Sequence, residues 1–372
     1  MVSDPNRYAP IDHGARLAMI QPRLPLGNGC DALLFTDLVD VRWLTGFTGS
    51  NGWVVVTGDE LILGTDGRYG ERARAETATS GATVIAETSR AKLHDRLLES
   101  LAGCRLVGLD PSSTTYAEWQ RLSRSIDLEP TDSLVGIQRR IKDDAEIERM
   151  TAAAAAADAA LAEVEPILFA TVDSPVTEAD IRNELEYRMR LHGADDRSYD
   201  TIVASGPDHA ARPHHEAARR TIVESDTVII DVGGLVEGYH SDMTRSYVIG
   251  EPTAEQRDVY ALVEASHAAG IAALRAGISA RELDSVCRAV YDEAGYLDWY
   301  LHGTGHGVGL VIHESPFHSQ ASDEVIAAGN VVTVEPGLYR VGFGGFRVED
   351  LLVVTETGSR PLTHTVPRPF PG

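Results

Sequence analysis

Asp231-Val232-Gly233-Gly234-Leu235-Val236-Glu237-Gly238-Tyr239-His240-Ser241-Asp242 constrains this chain more than any other stretch. It follows the run Thr227-Val228-Ile229-Ile230 and sets a glycine-rich reversal between two carboxylates. A short apolar run bounded by glycines reads as a buried strand entering a hairpin. A reversal centred between Val236 and Glu237 predicts Asp231 opposite Asp242 on one rung. Like charges directly opposite each other destabilise a sheet. The pattern therefore fits a cation between the acids, a proton held by one of them, or an ordinary hairpin with both acids exposed.

The arrangement occurs twice. Val331-Val332-Thr333-Val334 ends in Glu335, and after Pro336-Gly337 and the glycines at 342, 344 and 345 the chain returns through Phe346-Arg347-Val348-Glu349 into Asp350-Leu351-Leu352-Val353-Val354. A turn centred on Gly342 predicts Glu335 opposite Glu349. Between the two hairpins lies His302-Gly303-Thr304-Gly305-His306-Gly307-Val308-Gly309, whose four glycines argue against a helix. In an extended segment His302 and His306 share a side.

Asp231, Asp242, Glu335, Glu349 and His306 together would carry a charge of about −4, which a packed interior cannot hold uncompensated. Two divalent cations would cancel it. A set of oxygens with one nitrogen favours Mn²⁺ first, with Co²⁺, Fe²⁺ or Zn²⁺ after it. Two such ions about 3.5–4 Å apart can share a hydroxide and polarise a carbonyl, which equips a site for amide or ester hydrolysis.

Taken in this order, Asp231, Asp242, His306, Glu335-Pro336-Gly337 and Arg347-Val348-Glu349-Asp350 resemble the five metal ligands of the pita-bread metallopeptidases. The branch that resembles this chain most is the Xaa-Pro peptidases, comprising prolidase (Xaa-Pro dipeptidase) and aminopeptidase P. Residues 34–53 are similar to that branch's amino-terminal domain. The resemblance implies that Asp231 chelates one metal, that Asp242 and Glu349 bridge both, and that His306 and Glu335 complete the second. It implies that Glu335 also shuttles the proton, that His214 rather than His215 orients substrate, and that His302 and His313 hold substrate and the tetrahedral intermediate. Proline-containing dipeptides or short peptides are the implied substrates, and a homodimer the implied assembly.

Several neighbours can be read beside these. His313 has the wrong parity to share a face with His306, so a turn or bulge is expected after Gly309. Arg347 points with Glu349 and either holds a ligand carboxylate or substrate carbonyl, or pairs with the acids. Thr244, two after Asp242, is expected to donate to a bridging carboxylate. Some prolidases have an arginine where this chain has Phe317, four residues after His313, so a dipeptide's free carboxylate would need His318, Arg347 or a partner chain. Dipeptidase is the reading adopted, with aminopeptidase P as the alternative. A methionine aminopeptidase, a creatinase-like amidinohydrolase or a non-catalytic binding protein are remoter, because of the long amino-terminal region and the full ligand set.

The 372 residues, 43% hydrophobic, suffice for two domains. The expected fold is mixed α/β: an amino-terminal creatinase/prolidase-like α/β domain over 1–137 and a pita-bread catalytic domain over 138–372. In the first, strands are expected near 31–36, 52–57, 60–65, 82–87 and 105–109, and helices near 11–25, 67–77, 90–102 and 113–125. Asp40 and Arg42 there fit an internal ion pair as well as a substrate contact. In the second, Asp143 and Glu146 form a capping box opening an alanine-rich helix that should stop at Pro166. Helices opening at Thr177 and Ser279 and stopping near Gly193 and Gly295 each precede one hairpin, 54 and 56 residues before Asp231 and Glu335. That spacing suggests two pseudo-symmetric halves.

The net charge of −23 disfavours nucleic acid and anionic membrane as partners. Three widely spaced cysteines, 30, 104 and 287, argue for a reducing compartment. The start carries no signal-peptide core, so a cytoplasmic location is expected.

Overall fold

The computed structural model describes residues 7–370. These divide into two compact units, one of Pro10–Arg139 and one of Arg140 onward together with the residues before Pro10.

The first unit is built on a six-stranded mixed sheet, ordered Thr83–Glu87, Leu61–Asp66, Gly52–Val56, Ala32–Phe35, Val107–Leu109 and Leu128–Pro130. Its central strands are buried on both faces, and Leu34, Val55, Leu93, Leu97 and Leu122 form one core. The expected helix near 11–25 is instead a short helix, His13–Ala18, and a 3-10 turn, Gln21–Arg23. Pro22 and Pro25 remove the N–H groups that a continuous helix there would need. Leu38–Thr45 is a helix not anticipated from the pattern, capped by Asp37 and closed by Gly46 in the left-handed region. Asp40 pairs with Arg139 at 2.9 Å, both buried, and not with Arg42 as the adjacent charges suggested.

The second unit repeats one layered arrangement. In the first half, helix Asp144–Phe169 packs on helix Glu178–Leu191, and both lie on a sheet of Thr244–Val248, Thr227–Asp231 and Ile202–Ser205. In the second, helix Ala254–Ala273 packs on helix Ala280–Glu293 against a sheet ordered Glu314–His318, Gly305–Gly307, Val331–Val334, Asp350–Val354 and Ser359–Pro361. Thr177 and Ser279 cap the two shorter helices, each accepting from the backbone three residues on. The capping box of Asp143 and Glu146 is present, but the helix runs through Pro166 to Phe169. Pro166 lies in the last turn, so only one hydrogen bond is forfeited, and the buried Leu168 holds that turn to the core.

Strand alternation aims the acids. Val228 and Ile230 face the helices, which turns Ile229 and Asp231 the other way. In the second half Val332 and Val334 enter the core with Leu283, so Thr333 and Glu335 emerge on the opposite face. The two sheets meet at a single bridge between Thr244 and Glu349.

Candidate metal centre

The second hairpin has the expected register: Val334 stands opposite Asp350 and Gly337 opposite Arg347, centred on Gly342 with φ 85°. Glu335 and Glu349 are therefore on matching positions. The first hairpin differs. Asp231 pairs with Thr244, Leu235 with His240 and Val236 with Tyr239, which places the centre between Glu237 and Gly238. Both of those residues have positive φ, 43° and 76°, as the favoured two-residue hairpin turn requires. The centre thus lies one residue beyond the expected place and the register shifts by two, so Asp242 keeps its parity with Asp231 but sits one step along the ladder. Gly233 admits the close approach: a Cβ there would lie 1.9 Å from the Ser241 carbonyl oxygen.

His306 is delivered by strand Gly305–Gly307, and a register shift follows it in the pairing with Glu314–His318. The chain reverses beyond Gly309 and brings His313 back over His306, with ring centroids 4.4 Å apart. The reversal after Gly309 is the turn that parity called for, whereas the register shift lies earlier, between His306 and Gly307. His306 Nδ1 donates to the Gly307 carbonyl at 3.1 Å. Its Nε2 is left as a lone pair 3.6 Å from Asp242 Oδ2 and 3.4 Å from Glu335 Oε1.

Asp231 and Asp242 share the hydroxyl of Tyr199, which donates toward both. Arg347 Nη2 donates to Asp231 Oδ2 at 2.6 Å, its Nε to Thr244 Oγ1 at 3.0 Å, and its Nη1 to Tyr339 Oη at 2.8 Å and to the Pro213 carbonyl at 2.9 Å. Of its two anticipated roles, Arg347 thus makes the ion pair. Thr244 Oγ1 donates to Glu349 Oε2 at 2.6 Å. His302 Nδ1 donates to the Gly303 carbonyl at 2.7 Å, so its Nε2 accepts from Tyr339 Oη at 2.9 Å. Both nitrogens of His302 are thereby engaged within the protein, whereas exposed His214 and His313 sit on the cleft with their rings accessible.

Apart from Thr244 and Tyr339, these side chains line a cleft of about 670 Å³ that also includes Ile312, Phe317 and His318. Neither Tyr199 nor Tyr339 was anticipated. Tyr199 comes from a loop 32 residues before Asp231, and no spacing marks it. His318 is fully buried, and burial pushes its pKa down to about 3. That shift disfavours the cationic role considered for it.

Burial, followed by the charges of Asp231 and Glu335, raises the pKa of Asp242 well above the carboxylate range. Burial, followed by Asp242 and Glu335, does the same to Glu349. Glu335 is raised by burial, although His302 and Arg347 oppose the shift. Burial lowers His306. Crowded carboxylates facing an imidazole lone pair repel one another unless a proton or a cation lies among them.

Residues 148–356 match the model of metallopeptidase family M24, and residues 26–142 that of the creatinase/prolidase N-terminal domain. The chain belongs to metallopeptidase family M24. It is 36% identical over 345 residues to the uncharacterized peptidase YqhT of Bacillus subtilis (strain 168), covering 91% of this chain and 94% of that protein. It is similar to the structure of an Xaa-Pro dipeptidase from Bacillus anthracis, at 33% identity and a TM-score of 0.89, covering 96% of this chain and 98% of that one. It is also similar to an X-Pro aminopeptidase from Thermotoga maritima MSB8, at 30% identity and a TM-score of 0.85, covering 96% and 98%. The amino-terminal creatinase-like unit and the pita-bread unit are the fold of this metallopeptidase.

The donor set fits the metal that the family name implies. Asp242, His306 and Glu349 each present a ligand atom within 4.8 Å of the others. The tautomer of His306, fixed by its bond to Gly307, aims a lone pair at these oxygens. One phenol hydrogen on Tyr199 cannot satisfy two carboxylates at once. A divalent cation resolves all three conflicts.

Proposed function

We propose that this M24 enzyme hydrolyses the peptide bond preceding proline, acting as an Xaa-Pro dipeptidase with two divalent ions held by Asp231, Asp242, His306, Glu335 and Glu349. The observation that carries the reading is the bare Nε2 of His306 facing Asp242 and Glu335 in the cleft. The similarity to Xaa-Pro peptidases supports the substrate class. When bound, the ions supply Lewis acidity toward the scissile carbonyl and lower the pKa of a water. Mn²⁺ suits this oxygen-rich set, with Co²⁺ or Zn²⁺ as alternatives.

The chain's own residues do the rest. Glu335, with its Oε1 near His306, accepts a proton from the nucleophile and returns it to the leaving proline nitrogen. His214 and His313 approach substrate from the cleft wall. His302, tied to Tyr339, and Arg347, tied to Asp231, hold the wall and the acid in place. The catalytic part is assigned to residues 138–372 and the amino-terminal domain to 1–137, in a cytoplasmic homodimer. Among the described residues, no helix is long and apolar enough to cross a membrane.

Aminopeptidase P is the second reading, favoured by one observation. A dipeptide brings its carboxylate into the cleft beside the proline ring, yet the one arginine among the described residues that line the cleft, Arg347, is tied to Asp231, Thr244, Tyr339 and Pro213. Metal-stripped protein reloaded with Mn²⁺ is assayed on an Xaa-Pro dipeptide and an Xaa-Pro-Yaa tripeptide. Release of proline from the dipeptide establishes the dipeptidase. Cleavage of the tripeptide alone moves the assignment to aminopeptidase P, and no cleavage of either with Mn²⁺, Co²⁺ or Zn²⁺ removes both.

A further inference from the structure

A second group of side chains able to hold a metal ion lies in the same unit, and none of its members lines the cleft. Glu178, the first residue of helix Glu178–Leu191, is fully buried. Its Oε1 accepts from the Ser205 amide at 2.8 Å and the Ser205 hydroxyl at 2.6 Å, and its Oε2 from the Ala218 amide at 3.0 Å. His209 Nδ1 lies 3.0 and 3.1 Å from the two oxygens. His215 Nε2 lies 4.0 Å from Oε2, is buried, and has no hydrogen-bond partner. The two imidazoles face each other with centroids 3.9 Å apart and planes tilted by 35°.

A proton between His209 and Glu178 satisfies one imidazole and leaves the other orphaned, whereas one cation satisfies all three groups. The nitrogens lie 3.0 to 4.0 Å from the carboxylate oxygens and all three ligand atoms fall within 4.8 Å of one another, a spread that suits an ion with bonds of about 2 Å to nitrogen and oxygen. The carboxylate is already oriented by three donors, and Ser205 is in turn held by Arg220 at 2.6 Å, which pairs with Asp226. Outer contacts of this kind are what fix a ligating carboxylate. Two nitrogens and one oxygen favour Zn²⁺ over the Mn²⁺ suited to the oxygen-rich centre.

We propose that Glu178, His209 and His215 form a separate Zn²⁺ site. It ties the start of the helix to both ends of the loop that carries Pro213 and His214 into the cleft. Its function is structural: it sets where that loop stands.

The test is the number of zinc ions per chain at saturation, measured by elemental analysis after removal of free metal, for the full-length protein and for His209→Gln and His215→Gln. Circular dichroism confirms that each variant is folded. The proposal expects each folded variant to hold one zinc fewer than the parent, whatever number the parent holds, so the result does not depend on the peptidase reading. X-ray absorption of the zinc-loaded parent, with excess Mn²⁺ present, should show two imidazole nitrogens on the zinc. Equal zinc content in the parent and both folded variants overturns the proposal. If both variants fail to fold, a zinc absorption spectrum of the parent without two-imidazole coordination overturns it equally.

Discussion

Thr244 and Glu349 are joined twice: the Glu349 amide donates to the Thr244 carbonyl at 3.1 Å, and Thr244 Oγ1 donates to Glu349 Oε2 at 2.6 Å. This pair is the seam between the two half-sheets, and it is where an acid of the second hairpin meets the strand opposite Asp231. Replacing Thr244 with valine keeps the shape and the backbone bond but removes the donor to Glu349 and the acceptor for Arg347 Nε. Outer contacts to a ligating carboxylate are worth roughly 10- to 100-fold in metal affinity. Thr244→Val should weaken Mn²⁺ binding by about that factor at an unchanged circular dichroism spectrum. Unchanged affinity by calorimetry would show that Glu349 needs no such support.

Tyr199 donates toward both Asp231 and Asp242. Tyr199→Phe leaves the buried Asp242 and the half-buried Asp231 without that donor, a loss of about 1–3 kcal/mol. The melting temperature of the metal-free variant should fall, and saturating Mn²⁺ should restore most of the difference. A deficit that persists at saturating metal would mean that the phenol acts through packing alone.

Glu335→Gln preserves volume while removing the carboxylate proposed to accept the proton. Loss of a positioned general acid/base costs typically about 10²–10⁴-fold. Peptidase activity should fall by at least about 10²-fold in a folded protein that still binds metal. Retention of near-parental kcat would eliminate Glu335 as the proton carrier.

His267, which does not line the cleft, provides a pH signature of its own. Burial lowers its pKa to about 4, with Arg245 adding to the shift and Asp350, 3.4 Å away, opposing it. Below pH 6.5 the unfolded chain takes up a proton that the folded chain refuses. The contribution to stability is therefore whole above pH 6.5 and is lost as the pH falls toward 4, by about 3 kcal/mol in all. His267→Gln should flatten the decline of unfolding free energy between pH 6.5 and 4.5. Parallel declines in parent and variant would show that His267 titrates normally.

The second hairpin was legible because its arms are symmetric about one glycine: Gly342 takes the left-handed conformation, and Glu335 and Glu349 follow by counting. The first was misplaced by one residue because Glu237, not a glycine, adopts positive φ beside Gly238. Its face survived the error, since a shift of two preserves parity. The helix through Pro166 was lost because packing of Leu168, distant in sequence from its partners, outweighs one missing hydrogen bond.

By itself the sequence determined where the carboxylates and histidines fall along the chain and on which face of each strand the acids stand. Glycine placement, apolar alternation and helix caps are local, and they act within a few residues. Tertiary structure alone decided what those residues touch. Tyr199 reaches two acids, Arg347 becomes the partner of Asp231, and Asp40 finds Arg139 rather than Arg42. Such pairings join segments tens of residues apart, and they are set by how the helices and sheets pack, which no local pattern records.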